Sequence, residues 1–443
     1  MSVPRCPHRA PLLRGDIGSG AEEFEAFGQE IAVRAIARPS RRDQIAGATL
    51  RSVFEAFVTK ALGEQLDALG GRGRTQYRET LDTARAIRMG RRISSGTVRR
   101  THHSGRRQVQ GHDQEVRTTI RFNLLHPNPQ PDDLAARHRA FVEMARFGDT
   151  RGFDMISLEE HHGADNAWSP SPMILAAMVI GATQRLGVAI SALLLPLHDP
   201  LRVAEDLAVL DLAGGGRVVT TFGIGYRPSE YAQHAKSWDG RGALMDECLD
   251  AVLKAWTGEP FEYRGATVRV TPTPVSKPHP IVMVGGTSKV AARRAARFGL
   301  PMFSAAHTPE LEPYYYEQCQ AFGTQGFYAS PSAALCVAHV TDDPDRAWAT
   351  LGHHFLHEAA TYAAWQTPDI RSAVKSGAST VAELRAEGLY RFVTPDECVA
   401  MAATHGPMDS VLLHPLCGGM PIDEGWRCLE LVAEKVIGAS PTK

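Results

Sequence analysis

The chain has 443 residues, of which 43% are hydrophobic and 22% are charged, and its formal net charge at pH 7 is -1. These values are ordinary for a globular protein with a sizeable core. The near-zero net charge gives no reason to expect nucleic acid, an anionic membrane or an acidic substrate as a partner. Seven cysteines are scattered along the chain without a Cys-x-x-Cys pair, which is typical of reduced thiols. The sequence shows no apolar signal segment, and no apolar run approaches the roughly 18 residues that span a bilayer. Together these features predict a cytoplasmic protein.

Residues 1–117 differ from the rest of the chain in charge and in pattern. Apolar residues within 45–66 recur at three- and four-residue intervals, which predicts helix. Residues 70–117 are rich in Arg, Gly, Ser and Gln without apolar periodicity, which predicts disorder. This extension is either a basic tail that contacts a polyanion or an artefact of a start codon placed too far upstream. We favour an artefact or a dispensable tail, because aromatic residues do not alternate with the arginines as they do in nucleic-acid-binding segments.

From residue 118 onward, short β-branched or apolar runs alternate with amphipathic helical segments. The pattern predicts eight strands, at 120–125, 155–158, 186–192, 217–224, 281–285, 301–305, 334–340 and 410–414. It predicts eight helices after them, at 132–149, 172–183, 200–212, 239–256, 288–298, 309–322, 344–364 and 423–436.

Strands separated by helices imply parallel pairing through right-handed crossovers. Eight such units over about 320 residues predict an α/β fold, a (β/α)8 TIM barrel with insertions over 118–443, preceded by a partly disordered basic N-terminal extension. A doubly wound open sheet is the alternative. Residues 261–270 predict a small hairpin before the fifth strand, and a longer insertion at about 367–391 precedes the last unit and is expected to cover the mouth of the barrel.

Two histidines and two acids follow the second strand, in the run Leu158-Glu159-Glu160-His161-His162. The active site of such a barrel lies at the C-terminal ends of its strands, and these groups suit acid–base chemistry near neutral pH. Adjacent residues of an extended chain point to opposite faces, so at most one histidine of the pair faces the mouth. We therefore predict acid–base chemistry and no metal site, with a histidine that merely caps the next helix as the structural alternative.

The turn after the fourth strand contains Gly223, Gly225, Tyr226 and Arg227. Glycines let a backbone approach a flat or phosphorylated ligand closely. A tight turn between strand and helix explains a lone Gly-x-Gly equally well, so this signal is weak by itself.

The turn after the fifth strand, Gly285, Gly286, Thr287 and Ser288, opens a helix. Unpaired N–H groups at a helix N-terminus favour a phosphate, while N-capping by Thr287 or Ser288 is the simpler alternative. The sequence has no three-glycine dinucleotide fingerprint and no P-loop, which favours a mononucleotide phosphate over NAD.

These stretches, in this order, resemble the bacterial luciferase-like monooxygenases over about 120–436, with specific matches at 152–162, 195–211, 216–231 and 285–288. The resemblance implies that His161 serves in acid–base chemistry at the flavin, with Glu160 orienting it. It implies that the turn 285–288 holds the flavin phosphate. It also implies a non-proline cis peptide at Ser191-Ala192 under the isoalloxazine ring, and it makes Asn123 and Ser191 candidates for holding that ring.

Two positions depart from the family pattern: Thr221 stands where glycine is common, and Ile224 where an arginine often binds the phosphate. Phosphate binding is then expected to rest on residues 285–288, helped by Arg227. The resemblance implies a monooxygenase that uses reduced FMN and O2 to oxygenate a small aldehyde- or ketone-like substrate, as a homodimer supplied by a separate flavin reductase. Two alternatives remain open: a dehydrogenase or reductase that uses a deazaflavin coenzyme on the same barrel, and a non-catalytic flavin-binding protein that acts through its basic arm.

Overall fold

The computed structural model describes residues 116–367, 370–406 and 409–438. The predictions for the N-terminal extension, both the helix within 45–66 and the basic disordered segment up to residue 115, lie outside the described residues. From residue 118 the chain follows the predicted alternation of strands and helices closely.

In the first half, four strands alternate with helices that begin at proline, whose fixed φ suits the first helical turn. The elements are β1 (Thr118–Phe122), α1 (Pro131–Arg151), β2 (Met155–Leu158), α2 (Pro172–Ala182), β3 (Gly187–Leu194), α3 (Pro200–Gly214), β4 (Val218–Gly223) and α4 (Pro228–Gln233). Helix α5 (Arg241–Ala255) follows, and then the predicted hairpin, β5 (Phe261–Tyr263) paired with β6 (Ala266–Val268).

The second half contains the remaining barrel strands and the longest helix. Its elements are β7 (Ile281–Gly285), α6 (Lys289–Arg297), β8 (Met302–Phe303), α7 (Leu311–Phe322), β9 (Tyr328–Ala329), β10 (Val337–Val340), α8 (Pro344–Trp365), α9 (Val381–Glu387), β11 (Tyr390–Val393), α10 (Pro395–Ala402), β12 (Val411–Leu413) and α11 (Ile422–Leu431), which continues as a π-helical turn, Val432–Ile437. None of the described helices combines the length and the hydrophobicity that crossing a bilayer requires.

The strand order identifies the sheet as a barrel. The order is β11-β10-β12-β1-β2-β3-β4-β7-β8-β9, and every pair in it is parallel. The chain thus winds in one direction from β1 to β9, and the last strand returns to lie beside the first, with Thr118 opposite Val411. In a doubly wound sheet the second neighbour of the first strand would come from the middle of the chain, whereas here it is the last strand, β12. The predicted TIM-barrel fold is confirmed.

The segment predicted as an insertion at 367–391 contains structure that the periodicity did not indicate. Helix α9 lies within it, and β11 begins at its end and leads into α10. Both helices begin with a capping box, in which Thr380 pairs with Glu383 and Thr394 with Glu397. A threonine followed three residues later by glutamate is a helix-start signal that could have found them.

The turn after β12 seats the C-terminal part of the barrel against α8. Gly418 in this turn has φ +57°, and a Cβ atom there would lie 1.8 Å from the backbone oxygen of His354 in α8. Gly215, after α3, has a nearly identical φ of +59°, but a Cβ there would have no neighbour within 4 Å.

We expect Gly418→Ala to lower the free energy of unfolding by about 3 kcal/mol or more, because both backbone strain and a steric clash act there. The matched control, Gly215→Ala, carries only the strain and should cost about 1 kcal/mol. Urea unfolding monitored by circular dichroism gives both values. Equal losses in the two variants would show that the turn does not need to approach α8 so closely.

Candidate active site

Alternate residues of the barrel strands face two different environments, as the period of two requires. One set packs against the surrounding helices and is fully or almost fully buried: Ile156 and Leu158 in β2, Val188 and Ile190 in β3, Val282 and Val284 in β7. The other set faces the barrel interior and stays partly exposed: Ser157, Ala189, Ser191, Met283 and Gly285. The interior is therefore accessible from the side formed by β2, β3 and β7.

His161 lies in the segment between β2 and α2 and forms a hydrogen bond through each of its ring nitrogens. Its Nδ1 lies 2.9 Å from Oε1 of Glu230, and its Nε2 lies 3.0 Å from the hydroxyl of Tyr226. The backbone N–H of His161 donates to the carbonyl of Ser169. A carboxylate can only accept, so Nδ1 carries the proton and Nε2 of the neutral ring is left as an acceptor.

Glu230 organises this part of the site. Besides His161, its Oε1 accepts from the backbone N–H of His162 and from Arg227, each at 3.0 Å. Burial alone would favour the neutral acid, but the bonds from His161 and the other donors lower the pKa of Glu230. Glu230 is therefore a charged acceptor that holds the imidazole in one orientation.

Arg227 belongs to the same cluster. Its guanidinium donates to the carbonyl of His162 at 2.9 Å and lies 4.0 Å from the ring centroid of Trp365, besides its bond to Glu230. Arg227 thus contacts residues that surround His161, whereas the sequence suggested that it helps the turn 285–288 to bind the phosphate.

Aromatic side chains surround the imidazole of His161. Ring-to-ring distances are 5.3 Å to Trp168, 5.3 Å to Tyr226, 4.8 Å to Trp365 and 6.3 Å to Tyr362, all edge-to-face. Such a wall lowers the local dielectric and presents apolar surface to a ligand.

Three buried polar atoms beside this wall have no hydrogen-bond partner: Nε1 of Trp168, Oε2 of Glu230 and Oε1 of Gln366. Buried polar atoms are normally paired, because an unpaired one costs about 1–3 kcal/mol. Their concentration around one histidine is what a site for a polar ligand group requires.

Glu160, which the sequence paired with His161, faces away from it. Its Oε1 accepts from Nε2 of His162 at 2.8 Å and from Nε2 of His198 at 2.6 Å, while its Oε2 accepts from the backbone N–H of Leu194 at 2.5 Å. Burial opposes ionisation, but these hydrogen bonds outweigh it and lower the pKa of Glu160 to about 2. The carboxylate that orients His161 is Glu230 instead.

The ends of β3, β4 and β7 form a floor of small residues. The Ser191-Ala192 peptide is cis, as the resemblance predicts. A Cβ on Gly223 would lie 2.9 Å from Cβ of Ala192, and a Cβ on Gly285 would lie 2.9 Å from Cγ2 of Thr221. These glycines allow neighbouring strands to approach, and together they leave a low surface on which a flat ring system fits.

The turn after β7 combines capping with an accessible helix N-terminus. Ser288 is the N-cap of α6, and its hydroxyl accepts from the N–H of Ala291 at 3.2 Å. The simpler interpretation, N-capping by Ser288, is therefore confirmed. Gly286, which has φ +152°, donates its N–H to the carbonyl of Phe303 at 3.1 Å. Thr287 is partly exposed and Ser288 exposed, so the N–H groups at the start of α6 stay accessible to an anion.

Asn123, predicted to hold the flavin ring, is fully buried and engaged with α8. Its Nδ2 donates to Oε2 of Glu358 at 2.6 Å. Two positions earlier on the same face of β1, Arg121 pairs with Glu159, donates to Oε1 of Glu358 at 2.6 Å and donates to the hydroxyl of Tyr362 at 2.9 Å. Asn123 thus belongs to a buried polar network between β1 and α8.

Glu358 is the centre of that network. Oε1 also accepts from the hydroxyl of Tyr390 at 3.0 Å, and Oε2 lies 2.9 Å from Nε2 of His414. Burial alone would favour the neutral acid, but Arg121 and His414 hold the pKa of Glu358 well below its usual range. A charged, fully buried carboxylate is tolerated here because Arg121 compensates it.

Several of these residues received no role from the sequence: Trp168, Glu230, Glu358, Tyr362 and Trp365. Only the last three carry a pattern that could have found them. They recur at i, i+4 and i+7 in α8, so they share one face of that helix. A face that mixes a carboxylate with two aromatic rings suits a helix that lines a site.

The comparisons with known proteins agree with this architecture. The luciferase-like monooxygenase family model matches residues 119–412. The α chain of an alkanal monooxygenase from Photorhabdus laumondii is 31% identical over 189 residues, which are 41% of this chain and 52% of that protein. The chain thus spans about half the length of these curated relatives.

Two solved structures share the fold. The oxygenating constituent of 3,6-diketocamphane monooxygenase from Pseudomonas putida, in complex with FMN, has a TM-score of 0.55 at 18% identity, covering 73% of this chain and 98% of that one. The coenzyme F420-dependent tetrahydromethanopterin reductase from Methanopyrus kandleri has a TM-score of 0.50 at 15% identity, covering 74% of this chain and 100% of that one.

The buried network predicts a large effect of removing its arginine. Arg121→Met leaves Glu159 and Glu358 uncompensated, so we expect a loss of about 3–5 kcal/mol in the free energy of unfolding at pH 7. As a control, Lys254→Met removes a surface ion pair with Asp250, whose partners are 51% and 52% exposed, and should cost less than about 1 kcal/mol. Urea titration measures both variants, and a loss at Arg121 no larger than the control would argue against the network.

Proposed function

Because the chain belongs to the luciferase-like monooxygenase family, we propose that it uses reduced FMN and O2 to oxygenate a small organic substrate, such as an aldehyde or a ketone. The observation that carries this proposal is the hydrogen-bonded chain Glu230–His161–Tyr226 at the barrel mouth, set in an aromatic wall. It provides a proton-transfer group next to a surface suited to a flat cofactor.

The residues present fit a flavin mononucleotide. The isoalloxazine ring would lie on the small-residue floor of Ser191, Ala192, Gly223 and Gly285, and the phosphate would bind the turn 286–288 at the start of α6. Reduced FMN, when bound, supplies the electrons that activate O2. The protein has to orient the ring, exclude water and move protons.

His161 is the residue that we expect to move protons. Glu230 keeps the proton on Nδ1, which leaves Nε2 as the ring atom that takes up and returns a proton. Burial raises the pKa of Tyr226 above its ordinary value, so its phenol stays protonated and donates to Nε2. The three groups can therefore take up and return one proton at the mouth without a permanent change of charge.

The aromatic wall is expected to set the substrate class. The rings of Trp168, Tyr362 and Trp365 lie 4.9–6.4 Å from one another beside His161. They would exclude water from the reacting atoms and favour an apolar substrate body, while the unpaired polar atoms there would bind one polar group. An aldehyde or ketone combines these two features.

We expect reduced flavin to come from another protein. The glycine-rich turns offer a mononucleotide phosphate site and no dinucleotide fingerprint, so we propose that a separate flavin reductase supplies it. The six cysteines that the structure describes are buried free thiols. This state suits the reducing cytoplasm, where we place the protein.

We further propose that the protein is a homodimer joined through α2 and α3. Four large apolar side chains are exposed on these neighbouring helices: Ile174 (64%), Met178 (37%), Val209 (52%) and Leu212 (47%). Apolar side chains grouped on one face mark an interaction surface. A second copy would cover this face in a symmetric pair.

Flavin titration with oxygen uptake tests the proposed activity. The full chain should bind FMN, and with reduced FMN it should consume O2 in the presence of substrate. His161→Gln should lower turnover about 10²–10⁴-fold, since it removes general acid–base catalysis, while FMN binding stays within a few-fold. Glu230→Gln should lower turnover less and should displace the pH profile.

His138→Gln changes a partly buried histidine of α1 whose Nδ1 hydrogen-bonds to the carbonyl of Leu134; it serves as the control and should keep full turnover. Preferential binding of a reduced deazaflavin coenzyme, with substrate reduction and no O2 uptake, would move the protein to the hydride-transfer class. Binding of neither coenzyme would refute a flavin enzyme.

Charge on the α2–α3 face tests the dimer. We expect the double variant Ile174→Lys/Val209→Lys to be monomeric in sedimentation velocity at concentrations where the wild type is dimeric, because buried like charges oppose symmetric contact. Val275→Lys changes an equally exposed valine (54%) outside these helices and should leave the dimer intact. A wild type that sediments as a monomer would contradict the proposal.

A further inference from the structure

His161 and His162 face opposite sides of the segment after β2, and the side of His162 holds a second cluster. Glu160 and His162, two positions apart, meet His198, which follows the 3₁₀ turn Leu195–Leu197 at the end of β3. Nε2 of His162 and Nε2 of His198 approach the same oxygen, Oε1 of Glu160, at 2.8 Å and 2.6 Å. All three potential ligand atoms lie within 4.8 Å of one another.

The chemistry of these donors favours one class of ion. Two imidazole nitrogens with one carboxylate oxygen form a set that binds Zn²⁺ and neighbouring divalent transition metals, with water in the remaining position. Calcium and magnesium prefer a shell of oxygen ligands. No lysine or arginine pairs with Glu160 in the part of the chain that the structure describes, so its charge is available to a cation.

We propose that Glu160, His162 and His198 bind a divalent transition-metal ion of the Zn²⁺ class, which joins the loop after β2 to the loop after β3. This inference goes beyond the proposed monooxygenase activity. Glu160 and His162 lie on the face of the segment after β2 that is opposite to His161, and His198 meets them on that side.

Outer contacts hold two of the ligands in place, as in metal sites generally. Oε2 of Glu160 accepts from the N–H of Leu194, which directs Oε1 toward the histidines, and the backbone N–H of His162 is held by Glu230. The side chain of His198 is 25% exposed whereas that of Glu160 is fully buried. His198 thus lies on the solvent side and provides a route for an ion to enter.

The adjustment needed to admit an ion is small. Metal–ligand bonds of about 2.0–2.2 Å in a tetrahedral site place the ligand atoms about 3.3 Å apart. The present separations of 2.6–2.8 Å from Oε1 therefore have to widen by roughly half an ångström. His198, on a partly exposed loop, can move by that amount without disturbing the core.

The other convergence of metal-ligand types in the described chain lacks these properties. Glu358, His414 and Cys417 are fully buried, and Arg121 already compensates Glu358 at 2.6 Å. A second cation there would face the guanidinium in a fully buried region.

Metal titration of the full chain tests the proposal. Chelator-treated protein should take up one equivalent of Zn²⁺ at this site in equilibrium dialysis, and Co²⁺ should give the visible absorption of a four-coordinate site. His198→Gln should weaken that binding by more than about 100-fold, because changes to outer contacts alone typically cost 10–100-fold. Since His198 is partly exposed, this variant should keep the wild-type circular dichroism spectrum.

Two controls separate this result from the flavin proposal. His138→Gln should keep the metal equivalent, and His161→Gln should keep it even where turnover is lost. Conversely, His198→Gln should still bind FMN. A wild type without stoichiometric uptake, or a His198→Gln variant that binds Zn²⁺ as tightly as the wild type, would overturn the metal site and leave the three residues as a hydrogen-bonded cluster.

Discussion

The pairing of Arg121 with Glu358 inside the barrel is the interaction on which the site depends. A carboxylate buried this deeply requires a charged partner and polar partners for its oxygens. Arg121 in β1, Tyr390 in β11 and His414 directly after β12 supply them. Because Glu358 is anchored, the face of α8 that carries it is held against β1. Tyr362 and Trp365, one and two turns further along that face, are thereby brought to His161. Without this anchor, α8 would not be held so that its aromatic residues lie beside His161.

Glu230 performs the corresponding function on the opposite side of the mouth. One of its oxygens accepts from the ring of His161, from the backbone of His162 and from Arg227. The first bond sets the tautomer of the proposed catalytic histidine, and the second fixes the backbone between the two histidines. The same carboxylate therefore orients the proton-transfer group and steadies the segment that carries the proposed metal ligands. Two neighbouring histidines can serve separate purposes because their side chains leave the backbone on opposite faces.

The agreement between sequence and structure is strongest for strands and helices within the predicted βα units. Strands β2 and β7 were predicted to the residue, and α2 to within one residue of its end. Two strands outside the predicted βα units were missed: β9, which has two residues, and β11, which begins at the end of the predicted insertion 367–391. The cis peptide at Ser191-Ala192 followed from the resemblance. The carboxylate partner of His161 did not, because Glu230 is 69 positions away along the chain, and no local pattern connects the two.

What the sequence determined by itself is the barrel, the family and the identity of the residues at the strand ends, since alternation, turn chemistry and motifs are local properties of the chain. What the tertiary structure decided is which of those residues meet. Glu160 stands next to His161 in the chain yet bonds to His162 and His198, and Asn123 at a strand end is bound by a helix that begins more than two hundred residues later. Hydrogen bonds and ion pairs act over about 3 Å, so partners are selected by the folding of distant segments onto one another, and that selection is invisible until the barrel has closed.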